Sequence, residues 1–243
     1  MPRRKISCFL IVCNEADRLE ASLRPLAGWV DQLIVLDSGS TDGSVEIAQK
    51  YADDVYQTDW PGFGPQRNRA LAYCKHDWVM TIDADEVMTE ELKTEIDTVL
   101  SKPNLAANFI RLPWHTFLFL KTGAKFKDRQ VHETLIMPSR QTITLKSPLL
   151  HYSWRDYQHV SEKHLKYGVL GAQDKAKNNK KASIVYAFFR SITDFLQQYI
   201  LRLGFLDGQR GLLMAVILSQ YAFHKYAALW TMTDDISKQS GNH

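Results

Sequence analysis

Three apolar segments in the first 90 residues each end on a polar cluster, and this repeat limits the folds open to the chain. The clusters read "CNEADR" (13–18), "DSGSTDG" (37–43) and "DADE" (83–86). Helix-like segments with capping residues follow them. Strands that alternate with helices predict an α/β fold with a mostly parallel sheet. Ligands of such sheets bind beyond the carboxyl ends of the strands, so the three clusters are expected at one edge.

The predicted elements follow from hydrophobic pattern and capping residues. Asn14 is expected to cap the first helix, Asp42 or Thr41 the second, and Thr89 the fourth. Beyond residue 105 the chain is extended and aromatic, and from about residue 161 to residue 230 it is helical. The predicted strands are 6–12, 32–36, 54–57 and 78–82, and the predicted helices are 16–26, 44–51, 67–74 and 90–100.

Composition and charge narrow the class of protein. Of 243 residues, 45% are hydrophobic and 23% are charged, which supports a packed core and argues against disorder. Residues 1–159 carry 19 basic and 21 acidic residues, whereas residues 160–243 carry 11 and 6. The second segment is therefore basic, as expected for a partner that is nucleic acid or an anionic membrane. The chain contains neither GxxxxGK nor GxGxxG, so an ATPase and a dinucleotide oxidoreductase are poorly supported.

Cysteine use and the N-terminus indicate a reducing compartment. The three cysteines form no CxxC pair, and Cys8 and Cys13 lie in an apolar run where a buried thiol is expected. The basic start followed by residues 6–13 resembles a signal peptide. The apolar run is short and no small-residue cleavage site follows, so we expect a first strand instead.

Asp83 and Asp85 are separated by a single alanine, and carboxylates this close repel each other when ionised. A divalent cation such as Mg²⁺ or Mn²⁺ would resolve the repulsion, because these ions prefer oxygen ligands. A solvated acidic turn that caps the next helix explains the same residues equally well. The pair alone does not decide between the two.

A phosphatase of the haloacid-dehalogenase type is a further interpretation of "VMTIDADEV". Its first Asp would be the phosphoryl nucleophile and its second the general acid. That pattern requires a position near the chain start and a later acidic pair after another strand. Here two βα units precede the motif, and the pairs Asp53-Asp54 and Asp234-Asp235 are not well placed.

The other two clusters offer groups that suit a nucleotide. Asp37 is a fixed acceptor for a base or ribose, and Ser38 follows with hydroxyl and backbone N–H groups. Asn14 and Glu15 end the neighbouring strand. Ordinary helix capping accounts for part of this pattern, but capping does not require three such clusters at one edge.

Four segments together resemble a family 2 glycosyltransferase with the GT-A fold, over about residues 5–100. They are "ISCFLIVCNEADRLEASL", "LIVLDSGSTDGSVEIAQKY", "WPGFGPQRNRAL" and "DWVMTIDADEVM". The resemblance implies that Asp83 and Asp85 hold Mn²⁺ or Mg²⁺ against the diphosphate of a UDP-sugar, where the metal stabilises the leaving group. It also implies a set of nucleotide-sugar-binding residues, namely Asn14, Glu15, Asp37, Ser38, Gln66, Arg67, Asn68 and Asp83.

Later segments resemble a bacterial lipopolysaccharide core glycosyltransferase subgroup (WaaE/LgtF-like), on "DRQVHETL", "LLHYSWRDYQHVSEKHLKY" and the stretch 199–230. The resemblance implies an inverting transfer of a hexose, namely glucose, to inner-core heptose; another cell-envelope glycan or a polyprenol is the alternative acceptor. Inversion needs a general base, and Glu133 is the candidate, with Asp128 as its rival. His132 would be a neighbouring ligand or hydrogen-bonding group. His151 would contact the metal or diphosphate, or be an ordinary core histidine.

The resemblance also implies a domain division. Residues 1–160 would be the catalytic domain, with a nucleotide-binding half to residue 100 and an acceptor half beyond it, and residues 161–243 a helical extension. The longest uncharged run there, 211–223, is shorter than the ~20 residues of a membrane span. We therefore expect no transmembrane segment.

Two interpretations of the helical extension remain, a basic amphipathic helix on an anionic membrane or a helix packed on the catalytic domain. The resemblance favours the membrane, since the lipid A-core acceptor is lipid-anchored. It implies a cytoplasmic protein, peripheral on the inner membrane. The chain could also be a non-enzymatic membrane- or RNA-binding protein that has lost transferase activity. The intact Asp37, Asp83 and Asp85 argue against this, so no nucleic acid partner is expected.

Overall fold

The computed structural model describes residues 2–113, 116–127 and 134–239. The chain divides into two compact units, Met1–Ser153 and Trp154–His243. The first unit contains the sheet and its helices, and the second unit is helical.

The first unit follows the alternation expected from the sequence. Its helices are α1 (Ala16–Leu23), α2 (Ser44–Tyr51), α3 (Phe63–Tyr73) and α4 (Glu90–Leu100). Its strands are β1 (Ile6–Val12), β2 (Gln32–Asp37), β3 (Asp54–Gln57), β4 (Trp78–Thr81), β5 (Glu86–Met88), β6 (Phe109–Arg111), β7 (Phe117–Leu120), β8 (Lys125–Phe126), β9 (Leu135–Ile136), β10 (Thr142–Thr144) and β11 (Leu149–His151).

The central sheet has seven strands in the order β10-β6-β7-β4-β1-β2-β3. The pairs β4-β1, β1-β2, β2-β3 and β10-β6 are parallel, and β7 is antiparallel to both of its neighbours. Six strands therefore run in one direction, which confirms the expected mostly parallel α/β sheet. The carboxyl ends of β1, β2 and β4 lie at one edge, where the three polar clusters follow them.

Alternate residues of β1 face opposite sides of the sheet, as the period of a strand requires. Ile6, Cys8 and Leu10 belong to a core cluster that includes buried residues of α1 and α4, whereas Phe9 belongs to a second cluster with residues of α3. Both faces of the sheet are therefore covered, and the strand ends are held on a rigid support. Cys13, just beyond the strand, is exposed, so a buried thiol there was a wrong expectation.

The starts of α1 and α2 differ from the predicted capping. Asn14 does not cap α1, whose N-cap residue is Glu15 and has no side-chain cap bond. Instead Asp42 accepts the N–H of Ala16 (3.0 Å) through Oδ2 and the N–H of Ser44 (3.1 Å) through Oδ1. One carboxylate thus serves the first N–H groups of two helices, at the end that the helix dipole favours.

The second unit consists of α5 (Tyr157–Lys177), α6 (Ile184–Leu196) and α7 (Gly208–Gln239), and α7 packs against both of the others. A π-helical turn (Gln197–Leu201) and a 3₁₀ turn (Gly204–Asp207) join α6 to α7.

One helix of the second unit, Gly204–Asp234, is long and apolar enough to cross a membrane by length and composition. The uncharged run 211–223 therefore underestimates the apolar length of this helix, because an apolar window can include one or two charged residues. About a fifth (22%) of the helix's most apolar window is buried inside the protein. Core helices of soluble proteins pass the same test, so length and composition do not by themselves place this helix in a membrane.

Candidate active site

Asp37, the last residue of β2, is buried and holds the following turn. Its Oδ2 accepts the N–H groups of Gly39 and Ser40, each at 3.0 Å. Its Oδ1 is also buried and has no hydrogen-bond partner among the residues that the structure describes. Leaving a buried acceptor unsatisfied is costly. The Oδ1 atom is therefore suited to accept a donor group from a ligand.

The loops after β1 and β2 are hydrogen-bonded to each other. Asn14 has a positive φ of 55°, donates its N–H to the Ser40 hydroxyl (2.8 Å) and accepts the N–H of Thr41 (2.8 Å). The N–H of Glu15 donates to the Ser44 hydroxyl (2.9 Å). The first and second polar clusters are thus one connected surface.

The amides of Gln66 and Asn68, on α3, hold the framework of the site. Gln66 is fully buried and donates to the hydroxyls of Ser38 (2.9 Å) and Thr58 (2.7 Å). Asn68 donates to the Phe126 carbonyl and accepts the Phe126 N–H, each at 2.9 Å. These bonds link α3 to the β2 loop and to β8.

Arg67, between these two amides, reaches the third cluster. The guanidinium is nearly buried, donates to the Thr81 hydroxyl (2.5 Å) and pairs with Asp83 Oδ1 (2.9 Å). The Asp83 side chain is still 52% exposed. Asp83 therefore has a neutralising partner on one side and an accessible carboxylate surface on the other.

Asp85 has different surroundings from Asp83, although one residue separates them. Its side chain is only 11% exposed, and Oδ2 lies 3.6 Å from Arg18 Nη1 and 3.4 Å from His151 Nε2. Arg18 also pairs with Glu15 (2.5 Å), and so links the first cluster to the third. The antiparallel pairing of β11 with β5 places His151 opposite Glu86 and thus beside Asp85.

Glu86 faces inward and supports the turn that carries the two aspartates. Its Oε1 accepts the Thr116 hydroxyl (2.6 Å) and its Oε2 accepts the Asp83 N–H (2.9 Å). Burial, followed by the negative charge of Asp83, raises the pKa of Glu86 to about 7. The two arginines thus reduce the repulsion among the three acids, and the raised pKa of Glu86 reflects the repulsion that remains.

The donor set around Asp85 suits a divalent ion held by few protein ligands. Across the described residues, no group of three or more His, Cys, Asp and Glu is arranged to hold a metal. Asp85 Oδ2 and His151 Nε2, 3.4 Å apart, are close enough to share one ion. A carboxylate with an imidazole suits Mn²⁺ better than Mg²⁺, and phosphate or water oxygens complete such sites.

The structure therefore brings together most of the residues predicted for the site. Asp83, Asp85, Arg67 and His151 lie within one network, and the loops with Asn14 and Asp37 adjoin it through Arg18. Asp128, His132 and Glu133 lie outside the described residues, so their roles stay predictions.

Arg18 and Thr116 are two residues of the site that the sequence did not single out. Arg18 lies in the first turn of α1, three residues after Glu15, and this spacing places the two side chains side by side. That spacing was a usable signal for the pair with Glu15. The contacts of Arg18 with Asp85 and of Thr116 with Glu86 are long-range, and no local pattern encodes them.

Residues 7–118 match the family model described as Glycosyl transferase family 2. An "Uncharacterized glycosyltransferase" of Rickettsia bellii is 29% identical over 93% of this chain and 86% of its own length. The "Lipopolysaccharide core biosynthesis glycosyltransferase LpsC" of Rhizobium meliloti is 24% identical over 95% of this chain and 93% of its own.

Solved structures that match part of this chain include glucosyl-3-phosphoglycerate synthase from Mycobacterium tuberculosis in complex with Mn²⁺, UDP and glucosyl-3-phosphoglycerate. It is 23% identical with a TM-score of 0.41, and the match covers 49% of this chain and 57% of that chain.

The family match confirms the GT-A fold expected from the sequence, and the structure shows the expected mostly parallel sheet and helical C-terminal region. It also removes the phosphatase interpretation of the aspartate motif, because that motif lies within the matched domain. Residues 7–118 are similar to glycosyl transferase family 2, and the chain is a glycosyltransferase.

Proposed function

We propose that this chain is an inverting transferase that takes a hexose from a UDP-sugar bound at the ends of β1, β2 and β4. The observation that carries this proposal is Asp37, whose buried Oδ1 has no hydrogen-bond partner among the described residues. A uracil N–H or a ribose hydroxyl supplies the missing donor. The exposed loop residues Asn14 and Ser40 adjoin this position and line the nucleotide.

The diphosphate lies on the third cluster in this proposal. Asp85 and His151 would hold Mn²⁺, and the exposed carboxylate of Asp83 would supply a further oxygen. When bound, the metal neutralises the charge that develops on the departing nucleoside diphosphate. Arg67 holds the carboxylate of Asp83 in place, and Arg18 holds that of Asp85.

The acceptor hydroxyl needs a base on the opposite side of the sugar from the leaving group. Glu133 takes this proton, with Asp128 as the alternative and His132 as its neighbour. Direct displacement at the anomeric carbon then inverts its configuration. Gln66 and Asn68 support the donor-binding site, because their hydrogen bonds hold α3 against the β2 loop and β8.

The acceptor is inner-core heptose of lipopolysaccharide, and the sugar is glucose. The similarity to a relative named for lipopolysaccharide core biosynthesis supports this choice. Because that acceptor is lipid-anchored, the enzyme works at the cytoplasmic face of the inner membrane, and anionic lipids attract its basic second unit.

A donor and acceptor screen tests this function. The purified chain is incubated with Mn²⁺ and each of several UDP-sugars, with and without delipidated heptose-containing core oligosaccharide, and released UDP is measured. UDP-glucose with the core oligosaccharide should give the fastest release, and EDTA should abolish it. If UDP is released only when a polyprenol phosphate or another envelope glycan is present, that compound is the acceptor and the heptose assignment is wrong. If no UDP-sugar gives UDP release, the proposal that the donor is a UDP-sugar is wrong.

A further inference from the structure

The second unit exposes a concentration of large apolar side chains in one segment, residues 184–214, which we call the apolar hairpin. Of 22 large apolar side chains exposed in the described part of the chain, 15 belong to this segment. They are Ile184, Val185, Tyr186, Phe188, Phe189, Ile192, Leu196, Ile200, Leu201, Leu203, Phe205, Leu206, Leu212, Leu213 and Met214. Exposed apolar surface of this extent marks an interaction site.

The end of the apolar hairpin is tightly built. Leu203 has a positive φ of 59° between the π-helical and 3₁₀ turns. A Cβ added at Gly211 would collide with the carbonyl group of Gly204, so the two segments approach at backbone distance. Leu201 and Leu206 on these turns are 77% and 70% exposed. Because the turn is already packed at its backbone, these side chains are held outward.

Charge at the apolar hairpin is weakly positive, and more positive charge lies directly before it. Residues 184–214 carry three basic and two acidic residues, and Lys180 and Lys181 precede them. Arg190 is paired with Asp194 at 2.6 Å, whereas Arg202 and Arg210 are exposed on either side of the turn. Apolar side chains bordered by basic ones match the boundary between acyl chains and anionic head groups.

A second copy of the chain fits this surface less well. Pairing two copies through the same face would bring together two sets of basic side chains with too few acidic residues to pair them. An anionic lipid surface supplies the complementary charge.

We propose that the apolar hairpin inserts from one side into the head-group boundary of an anionic bilayer, with Leu201 and Leu206 deepest. The inference rests on the proposed function, in which the acceptor is lipid-anchored. It goes further by assigning the contact to residues 184–214 and by making it a one-sided insertion.

Vesicle flotation of the full chain tests this insertion. The double variant Leu201→Glu/Leu206→Glu is compared with Leu165→Glu, a matched control because Leu165 is a leucine of α5 that is 48% exposed. The wild type and the control should float with phosphatidylglycerol-containing vesicles. The double variant should bind at least roughly 100-fold more weakly. Wild-type binding to neutral phosphatidylcholine vesicles should be weaker by on the order of 100-fold.

Three results would overturn the insertion: a wild type that does not float, a double variant that floats like the wild type, or equal loss in the control. Light scattering provides the test for a second copy. A wild-type dimer that the double variant converts to a monomer, with vesicle binding unchanged, assigns the face to self-association and also overturns the proposal. UDP release with delipidated acceptor tests the proposed function separately, since no vesicle is present.

Discussion

The two units of the chain place their apolar and charged residues in opposite ways. In the first unit, the sheet is covered on both faces, and charged side chains gather at the ends of the strands. In the second unit, large apolar side chains are exposed between Ile184 and Met214, and basic residues border them. The first arrangement suits a small charged ligand held on a rigid support, and the second suits an extended apolar surface.

This difference predicts that the first unit carries out donor binding and catalysis and that the second unit binds the membrane. Changes at the strand ends should alter donor binding and turnover equally in solution and on vesicles. Changes in the apolar hairpin should alter vesicle binding without altering the chemistry measured on a soluble acceptor. Each of the following predictions tests whether the two properties separate in this way.

The largest effect is expected for Asp85→Asn. The amide keeps the size of the side chain but loses the charge that balances Arg18 and supports a metal ion. UDP release should fall by about 10²–10³-fold, both with delipidated acceptor and with acceptor in vesicles. If UDP release fell only with acceptor in vesicles, the catalytic and membrane-binding functions would not be separate. Normal turnover would show that Asp85 does not belong to the active site.

Asp37→Asn should weaken UDP binding by about 10–100-fold. The remaining amide oxygen still accepts the N–H groups of Gly39 and Ser40, but an NH₂ group replaces the unpartnered Oδ1. A ligand donor then faces another donor. Calorimetric titration with UDP measures the affinity, and the melting temperature without ligand should not fall. A lower melting temperature with unchanged affinity would assign Asp37 a structural role only.

Arg67→Met should destabilise the first unit by about 1–3 kcal/mol. It removes the partner of Asp83 and the donor to Thr81 from a nearly buried position. Arg69→Met is the control on the same helix, because Arg69 pairs with the exposed Asp59 and its loss should destabilise the fold far less. Thermal unfolding measures both, and vesicle flotation should be unchanged. Equal costs would mean that burial does not set the strength of the Arg67 pair.

The smallest effect is expected for Asp54→Asn, at the amino-terminal end of β3 and away from the site. The Gln32 side chain donates to Asp54 at 2.8 Å and holds the pKa of its carboxyl below the model-peptide value of 3.8. Because folding lowers the pKa of Asp54, its ionised carboxylate stabilises the fold above pH 3.8. This stabilisation is lost as the pH falls through the pKa of the folded state. The variant should therefore be less stable than wild type by under about 1 kcal/mol at pH 7.

Melting curves from pH 7 down to pH 3 measure this difference for Asp54→Asn. The gap between wild type and variant should close only in the acidic part of that range. A stability difference that grows toward acidic pH would contradict the direction of the pKa shift. A change in UDP affinity would show that Asp54 influences the active site.

Much of the first unit follows from local pattern. β1 begins and ends at the residues that its apolar run predicts, and α2 does so as well. Local pattern failed where a distant residue supplies the bond, as when Asp42 replaces Asn14 at the start of α1. It also placed the start of α3 at Arg67, although the helix begins at Phe63 after a glycine with a φ of 115°.

The site was predictable in its residue types and less so in its pairings. Three polar clusters after three strands were enough to predict one ligand-binding edge. The sequence did not show that Arg67 pairs with Asp83 while Arg18 and His151 approach Asp85. Those pairings depend on α3 packing against β1 and β2 and on β11 pairing with β5, which are long-range contacts. In the second unit, periodicity predicted helices but could not show which apolar residues remain exposed.

The central claim is that the strand-end cluster binds a nucleoside diphosphate together with a divalent metal. Electron paramagnetic resonance of Mn²⁺, titrated with the full chain in the presence of UDP, measures the free ion directly. We expect the free-ion signal to fall with wild type and with Leu165→Glu, to fall much less when UDP is omitted, and to persist with Asp85→Asn. Binding of Mn²⁺ and UDP by Asp85→Asn at wild-type affinity would contradict the account.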